Sequence, residues 1–448
     1  MRNFPGAAAC SARIPVTTSL CIAALLSTSA LAQDVPTSTA DQEDSLQGAA
    51  LEEIIVTAQK RSERLLDVPV PVTAITANTL AERNQMQLQD YFRQVPGLDL
   101  TSNGGGSKSI TLRGVTTGGL NNPTFAVAID GVPYGSSSAL GYGDRLVPDL
   151  DPSNLARVEV LRGPQGTLYG ASSLGGMLQY VTKDPSLAEA EGAAAVDFNS
   201  VEDGDNGYGA RASISVPIVH DALGLGVSAF KRKDAGFIDD PARNRSDVDG
   251  QDVKGGRLNA LWRPSERFSL KLSALAQDSD GDAASQVDAD FRLQPTAGDL
   301  TQIRPPGTGM FEGKIRFFTA AADAKLGSLD LTSLSGYGIN ESSSAPDFPS
   351  PLWGSLAQAF FGESGTKLVT QMETKKFSQE LRLASAQGEK FEWMLGAFYT
   401  DEKTTAVQSM DAFDATTGAD AGSLIKFDFP TRFAIWRSEE RRVGKECR

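Results

Sequence analysis

The second half of the chain shows a regular alternation of apolar and polar positions. In residues 268–276 apolar side chains occupy every second position, and residues 391–400 repeat this arrangement. Each run has about ten residues, the length that a tilted strand needs to cross a bilayer. Long polar segments, such as 278–290 and 342–355, separate the runs. From about residue 189 onward the pattern predicts strands with one apolar and one polar face, either in an outer-membrane barrel or in a soluble β-sandwich or propeller.

Residues 62–188 combine helix and strand signals. Thr79 and Glu82 have the spacing of a capping box, which predicts a helix start. An apolar stripe follows at Leu88, Tyr91, Phe92 and Val95, and it stops before Pro96 and Gly97. Short strands are predicted at 109–114, 125–129 and 157–160. Few helices and several short strands favour a small mixed α+β domain.

The N-terminal segment has the features of an export signal. Arg2 and Arg13 precede a mostly apolar stretch from Ile14 to Leu26, and an Ala-Leu-Ala sequence ends at Ala32. A positive flank, a short apolar run and an A-x-A site predict a cleaved signal peptide over residues 1–32. A transmembrane helix is the weaker alternative, because prolines, threonines and serines dilute the apolar run.

Residues 33–50 are polar and are expected to form a disordered linker. The character changes at residues 51–61, where Ile54, Ile55, Val56 and Thr57 are four consecutive β-branched residues between charged ones. Such residues favour an extended strand over a helix. This strand has no obvious partner in the sequence.

Composition narrows the function classes. The chain has 42 Lys and Arg against 56 Asp and Glu, for a net charge of −14, so a nucleic-acid partner is not expected. It has a single histidine and three cysteines. Zinc sites, thiol nucleophiles and most Ser/His/Asp triads need more imidazoles or thiols than that. We therefore expect no catalytic residues, no cofactor, no metal site and no enzymatic activity.

Four motifs, in this order, resemble those of the TonB-dependent outer-membrane receptors. They are Glu53–Arg61 (the TonB box), Val127–Val132 (a plug hairpin), Val158–Gly170 closed by Thr182–Pro185, and Phe377–Leu383 (a recurrent barrel strand). The resemblance covers residues 51 to about 436. The sequence departs from the family at Ala171–Gly176, where small residues replace the usual Arg and Asn.

The resemblance implies an α+β plug domain followed by an antiparallel transmembrane β-barrel. The plug would comprise residues 62–188. The complete family barrel has about 22 strands, of which residues 189–436 would supply about 10 to 13, so the barrel is expected to be truncated here. Residues 437–448 are mostly charged and lack alternation, and they are expected to be a non-native tail.

The resemblance also assigns roles to two sets of residues. The TonB-binding residues would be Ile54, Ile55, Val56, Thr57 and Ala58, which would add a strand to a sheet edge of the partner. The alternative is a strand docked permanently on the plug, and both states could alternate. The expected plug–barrel contacts are Arg113, Gly114, Arg162 and Gly163, since arginine forks suit carboxylates on a barrel wall. For Arg113 the alternative is a solvated turn arginine.

The function implied by the resemblance is energy-coupled uptake of a scarce nutrient, most commonly a ferric siderophore, across the outer membrane of a Gram-negative bacterium. The implied partners are TonB with its inner-membrane energising complex, outer-membrane lipid and a small-molecule ligand. The sequence does not choose among siderophore, cobalamin and carbohydrate ligands. The alternative is a non-transporting adhesin or surface binding protein, which would have no need of a plug.

Overall fold

The computed structural model describes residues 54–104, 107–117, 123–138, 147–148, 150–386 and 391–444. The predicted signal peptide, the predicted linker and the first three residues of the predicted TonB box lie outside the described residues. So do the last four residues of the predicted tail.

The N-terminal part folds as a small α+β domain, which confirms the predicted fold class. Its strands are β1 (Ile55–Val56), β2 (Glu63–Arg64), β3 (Val72–Thr76), β4 (Leu98–Gly104), β5 (Ser107–Leu112), β6 (Phe125–Ile129), β7 (Val132–Tyr134), β8 (Leu155–Arg162) and β9 (Gly176–Thr182). Its helices are α1 (Ala77–Glu82), α2 (Leu88–Tyr91) and α3 (Gly166–Tyr169). A five-stranded sheet has the order β3-β8-β9-β6-β7, and β1-β2 and β4-β5 form two separate ribbons.

Helix α1 begins earlier than the sequence predicts. Its N-cap is Thr76, whose hydroxyl accepts a hydrogen bond from the Thr79 amide at 3.2 Å. Thr79 therefore lies inside the first turn, and the capping-box assignment of Thr79 and Glu82 is wrong. The apolar stripe is confirmed, because Leu88, Tyr91 and Val95 are buried in the core of the domain.

The C-terminal part is one antiparallel sheet of ten strands in sequence order. The strands are β10 (Glu191–Ser200), β11 (Asn206–Val219), β12 (Leu223–Asp234), β13 (Gln251–Ser265), β14 (Phe268–Gly281), β15 (Phe311–Leu326), β16 (Leu329–Ser344), β17 (Gly365–Ser385), β18 (Phe391–Phe413) and β19 (Asp420–Gly444). The alternation predicted from the sequence is present in β17, where Ser378 and Glu380 are buried while Phe377 and Leu381 are exposed. Four buried side chains of this sheet, Leu275, Ile315, Phe317 and Leu334, belong to the apolar core of the α+β domain.

Several strands are longer than about ten residues, so they extend into segments that the sequence assigned to loops. Strand β14 continues to Gly281 and β16 to Ser344, and helix α4 (Pro351–Phe361) occupies part of the next segment. The last strand continues past residue 436 to Gly444. Arg437 donates to the Gly166 carbonyl at 2.7 Å, so this part of the predicted tail contacts the α+β domain.

The connections of the ten-stranded sheet differ at its two ends. At one end they are short, as in 220–222, 266–267 and 327–328, and at the other end they are long, as in 235–250 and 282–310. We call these the short-turn end and the long-loop end. Among the described residues, no helix combines the length and apolar character needed to span a membrane.

Candidate functional site: the N-terminal segment and its contact with the ten-stranded sheet

The segment 54–61 is docked on the α+β domain. Strand β1 pairs with β2, with Ile55 opposite Arg64 and Val56 opposite Glu63. The expectation of a strand without a partner is therefore wrong, because the chain turns back within eight residues and supplies the partner itself. Val56 and Ala58 are fully buried, whereas Ile55 is 40% exposed. The buried pair packs in an apolar cluster with Ala128, Leu161 and Met177.

Thr57 makes most of the hydrogen bonds that hold the segment on the α+β domain. Its amide and hydroxyl both reach Glu159 Oε1, at 2.9 and 3.0 Å. Gln179 Nε2 donates to the Thr57 hydroxyl at 2.6 Å, and the Tyr169 hydroxyl donates to the Thr57 carbonyl at 3.1 Å. Four hydrogen bonds on one threonine hold the segment in a single register.

Glu159 is fully buried, and Arg157 lies 2.7 Å from its Oε1 atom. A buried carboxylate is costly unless it is paired and hydrogen-bonded, and here Arg157 and Thr57 satisfy it. From the sequence alone, Glu159 is only the polar residue between two valines of a strand. The signal that could have found it is a charged side chain within the otherwise apolar run Val158–Leu161 of β8.

Lys60 and Arg61 connect the segment to the ten-stranded sheet. Lys60 Nζ lies 2.5 Å from Glu380 Oε1, and Arg61 Nη1 lies 2.7 Å from Glu392 Oε2. Arg382 Nη1 donates to the Lys60 carbonyl at 2.9 Å. Glu380 and Arg382 belong to the Phe377–Leu383 motif, so this motif meets the N-terminal segment directly. Burial lowers the pKa of Lys60 to about 8, although Glu380 opposes the shift.

A second contact is made by the hairpin β6–β7. The Tyr134 ring packs edge-on against Phe317 with centroids 5.4 Å apart, and its hydroxyl donates to Asn340 Oδ1 at 3.0 Å. Val132 packs so closely against Gly336 that a Cβ atom at that position would overlap the valine side chain. Leu275, Ile315, Phe317 and Leu334 of the large sheet join the apolar core of the α+β domain. This contact is mainly apolar.

Polar contacts continue on both sides of the hairpin. After β7, the Ser137 amide donates to Glu402 Oε2 at 2.9 Å, and Lys376 Nζ donates to the Gly135 carbonyl at 2.8 Å. Before β7, Lys271 Nζ lies 3.2 Å from Asp130 Oδ2. The groups on the large sheet are charged, and those on the hairpin side are two backbone groups and the Asp130 carboxylate, so polar contacts flank the apolar contact of the hairpin.

The four predicted contact residues lie elsewhere. Arg113 has a left-handed backbone with φ of 57°, and its Nη1 atom is 3.2 Å from the position that a Cβ on Gly163 would occupy. Arg162 donates its amide to the Pro71 carbonyl at 3.0 Å. The structure thus brings Arg113 and Gly163 together within the α+β domain. Their contact with a barrel wall, and that of Gly114 and Arg162, stays a prediction.

A cavity of about 920 Å³ lies between the docked segment and the short-turn end of the large sheet. Nine Lys or Arg residues line it against five Asp or Glu residues. The cations are Lys60, Arg61, Arg157, Lys183, Arg263, Arg267, Lys271, Lys325 and Arg382. In a chain with a net charge of −14, this is a locally positive site. No group of three or more potential metal ligands was found among the described residues.

Comparisons with known proteins agree with this architecture. Residues 64–177 match the family described as the TonB-dependent Receptor Plug Domain. The chain is 28% identical over 254 residues to the hemin receptor of Yersinia enterocolitica, covering 56% of this chain and 31% of that receptor. It is 29% identical over 220 residues to the pesticin receptor of Yersinia pestis, covering 48% of this chain and 30% of that receptor.

The fold is similar to that of the ferric yersiniabactin uptake receptor FyuA from Yersinia pestis. The TM-score is 0.65 at 19% sequence identity, over 82% of this chain and 53% of that one. This chain therefore matches about half the length of the solved receptor and under a third of the two sequence relatives. The ten-stranded sheet corresponds to part of a receptor barrel, and the α+β domain to its plug.

Proposed function

We propose that the chain is a TonB-dependent receptor and that it takes up a scarce nutrient across the outer membrane of a Gram-negative bacterium with energy supplied through TonB. The proposed ligand is a ferric siderophore or a related iron chelate. The proposed partners are TonB with its inner-membrane complex, outer-membrane lipid and the ligand itself.

The main support for this proposal is the position of the docked segment 54–61. In outer-membrane barrels the short turns face the periplasm, and this segment lies at the short-turn end. A periplasmic partner can therefore reach it. Ile55 is partly exposed and so is accessible to a partner, whereas Val56 and Ala58 are buried against the plug. Once released, residues Ile54–Ala58 could add as a strand to TonB through main-chain hydrogen bonds.

The charge of the cavity supports a negatively charged ligand. An excess of cations between plug and barrel raises the local concentration of anions and lowers the energy of an anion passing through. Ferric chelates with carboxylate or catecholate donors are often anionic. The similar proteins named above include a hemin receptor and a ferric yersiniabactin uptake receptor, and this chemistry is compatible with both names.

The adhesin alternative explains fewer of these features. A surface binding protein has no need of a domain inside the barrel, or of a segment held at the periplasmic end by Glu159 and Glu380. We accordingly propose that Arg113, Gly114, Arg162 and Gly163 also serve the plug, as contacts with the barrel wall.

Export is proposed from the sequence of residues 1–32. The mature protein should begin at Gln33 and fractionate with the outer membrane. N-terminal sequencing of the purified protein tests this, and an intact Met1 would contradict it.

The test of coupling is the substitution Ile55→Pro in the receptor expressed from its intact gene. Proline fixes φ and removes a backbone N–H, so strand addition to TonB should fail. The cleaner site is Ile55 rather than Val56, because Val56 is fully buried and its replacement would also disturb the plug. Ligand binding at the cell surface and ligand accumulation are measured in the same cells.

We expect Ile55→Pro to keep ligand binding and surface expression while accumulation is lost. The matched control is Ile55→Ala, which keeps the main-chain hydrogen bonds and should reduce accumulation only slightly. Normal accumulation with Ile55→Pro would show that this segment is not the TonB-binding strand.

A further inference from the structure

The short-turn end of the large sheet carries three cations at the mouth of the positively charged cavity. Arg263 lies near the end of β13, Arg267 lies in the turn that follows, and Lys325 lies near the end of β15. The Lys325 amide donates to the Arg267 carbonyl at 2.8 Å, so these two residues are adjacent. All three residues are exposed and line the cavity, and we call them the rim cations.

The rim cations are available to a further anion. Among the residues that the structure describes, their side chains form no ion pair and no hydrogen bond. The other six cations of the cavity each form an ion pair with a carboxylate. Of the five acids that line the cavity, Asp130 and Asp184 are paired with Lys271. A negative charge that arrives at the mouth therefore meets cations that do not have to leave another partner first.

The sequence that precedes the docked segment is strongly acidic. Residues 33–53 contain six Asp or Glu residues and no Lys, Arg or His, and we call them the acidic segment. Three of its carboxylates, Asp41, Glu43 and Asp44, fall within four residues. The acidic segment contains few large apolar side chains, so charge is its main means of binding. It lies outside the described residues, and its binding site is inferred from its charge and its attachment.

The acidic segment is tethered beside the cavity. Ile54 follows it directly, and the Ile54 carbonyl accepts a hydrogen bond from the Leu65 amide at 2.9 Å. Thr57 then lines the cavity, as the rim cations do. The chain from Asp44 to Ile54 can span about 33 Å when extended, so the mouth of the cavity is within its reach. A short tether gives an effective concentration of roughly millimolar order, so weak charge pairs are enough to populate the contact.

Three exposed cations on β17–β19 provide a comparison. Lys375 pairs with its neighbour Glu373, and Arg432 lies 2.9 Å from Asp401. Lys403 is exposed and lies directly opposite both Lys375 and Arg432 in the sheet. These three cations do not line the cavity. They therefore match the rim cations in charge and exposure but not in their position beside the tether.

We propose that the acidic segment binds to the rim cations and covers the mouth of the cavity, with Asp41, Glu43 and Asp44 as the pairing carboxylates. The occupant is this chain's own segment rather than a separate acidic protein, because the tether supplies it at a high local concentration. The acidic segment directly precedes Ile54–Ala58, so a partner that withdraws this strand also withdraws the acidic segment. The mouth is then open to an anionic ligand. This last step rests on the proposed function, whereas the contact itself does not.

The test follows the acidic segment in the full-length receptor, purified in detergent without TonB or ligand. A nitroxide at Ser45→Cys, in a chain whose other cysteines are replaced by serine, distinguishes an immobilised label from a mobile one. The rim variant combines Arg263→Gln, Arg267→Gln and Lys325→Gln. The matched control removes the same charge from the comparison cations by Lys375→Gln, Lys403→Gln and Arg432→Gln.

The ratio of immobilised to mobile label should fall about tenfold in the rim variant, because an exposed charge pair contributes a factor of roughly two to three. The ratio should stay unchanged in the matched control. In the unmodified receptor it should fall between about 0.1 M and about 1 M salt, where the Debye length shortens from about 10 Å to about 3 Å. A mobile label in the unmodified receptor at low salt, an unchanged ratio in the rim variant, or an equal loss in the control would each overturn the contact.

The reciprocal variant combines Asp41→Asn, Glu43→Gln and Asp44→Asn. It leaves the barrel untouched, so it decides the matter if the rim variant does not assemble: a loss of about tenfold supports the contact and an unchanged ratio overturns it. Joined to the rim variant, it should add less than about twofold, since both remove the same pairs. Two losses that multiply would show separate partners and would overturn the proposal. Ligand accumulation with Ile55→Pro is measured separately, so a failure of the proposed function is distinguished from a failure of this contact.

Discussion

The hairpin β6–β7 and the segment 54–61 meet the barrel sheet through different chemistry. The hairpin inserts Val132 and Tyr134 against Gly336 and Phe317, and this contact is continuous with the core of the plug. The segment meets the sheet through ion pairs, between Lys60 and Glu380 and between Arg61 and Glu392.

This difference indicates that the hairpin contact is fixed and that the contact of the segment with the sheet can be released. Breaking the hairpin contact would expose apolar surface to a polar lumen, which is costly in proportion to the area. Breaking the ion pairs between the segment and the sheet exposes charged groups that water solvates well, so this part of the release costs less, while Val56 and Ala58 add an apolar cost on the plug side. Loss of the ion pairs therefore leaves the hairpin contact intact, as the coupling role proposed for the segment requires.

The largest expected effect is on the hairpin contact. Phe317→Ala should lower the free energy of unfolding by about 3–5 kcal/mol, because Phe317 is buried against Tyr134 and its removal leaves a cavity. Phe318→Ala is the control on the same strand, since Phe318 is 46% exposed on the outer face. Thermal unfolding of the purified receptor in detergent measures both. Equal losses for the two variants would contradict the assignment of the hairpin as an apolar anchor.

The next effect is on the docking of the segment. Glu159→Ala removes the acceptor of the Thr57 amide and hydroxyl and should shift the balance toward the released segment by about 1.5–3 kcal/mol. A nitroxide at Ile55→Cys, in a chain whose other cysteines are replaced by serine, reports the mobile fraction. The control is Glu82→Ala at an exposed helix position. A mobile fraction that does not change with Glu159→Ala would show that Glu159 does not hold the segment.

The two regions also differ in how far the sequence predicted them. The strands of the hairpin and of the barrel sheet follow from alternation, since Phe125, Val127 and Ile129 and the runs at 268–276 and 391–400 show period two directly. The count of about 10 to 13 strands agrees with the ten described strands. The local pattern is enough to predict these strands, because alternate side chains of a strand lie on opposite faces of the sheet.

The docking of segment 54–61 could not be predicted in this way. Its partners Glu159, Gln179 and Glu380 lie 102 to 320 residues from the residues they bind. The alternation of apolar and polar residues predicts which side chains are buried, but it does not predict which buried polar groups form hydrogen bonds with each other. The same limit applies to Lys60: the sequence shows only a charged residue after the β-branched run, and the structure buries it beside a carboxylate.

The third effect is a pH dependence of release. Burial lowers the pKa of docked Lys60 to about 8, whereas in the released segment it should return to about 10.4. Between these values the released state binds more protons, so docking becomes more favourable as pH rises, by about tenfold per pH unit. Below pH 7 the balance should be flat. Glu380, Arg382 and Arg437 face the ammonium group and are included in this shift.

The same nitroxide at residue 55 measures this dependence between pH 6 and pH 10. Lys60→Met is the control and should remove the slope, since it removes the ammonium group whose pKa differs between the docked and the released segment. A mobile fraction that increases with pH in the wild-type background would contradict the sign.

The smallest effect is the coupling between Arg61 and Glu392, and it tests whether the ion pairs to the barrel belong to the docking equilibrium at all. Their charged groups are 2.7 Å apart, and the side chains are 13% and 18% exposed. A double-mutant cycle of Arg61→Met and Glu392→Gln, measured through the mobile fraction, should therefore give a coupling free energy of about 1–2 kcal/mol. The pair Lys183–Glu191 has the same distance but is 57% and 49% exposed and does not touch the segment. Its cycle, Lys183→Met with Glu191→Gln, should give a coupling near zero. If both cycles give the same value, the barrel side contributes only general electrostatics, and the docking depends on Glu159 and the apolar cluster of the plug alone.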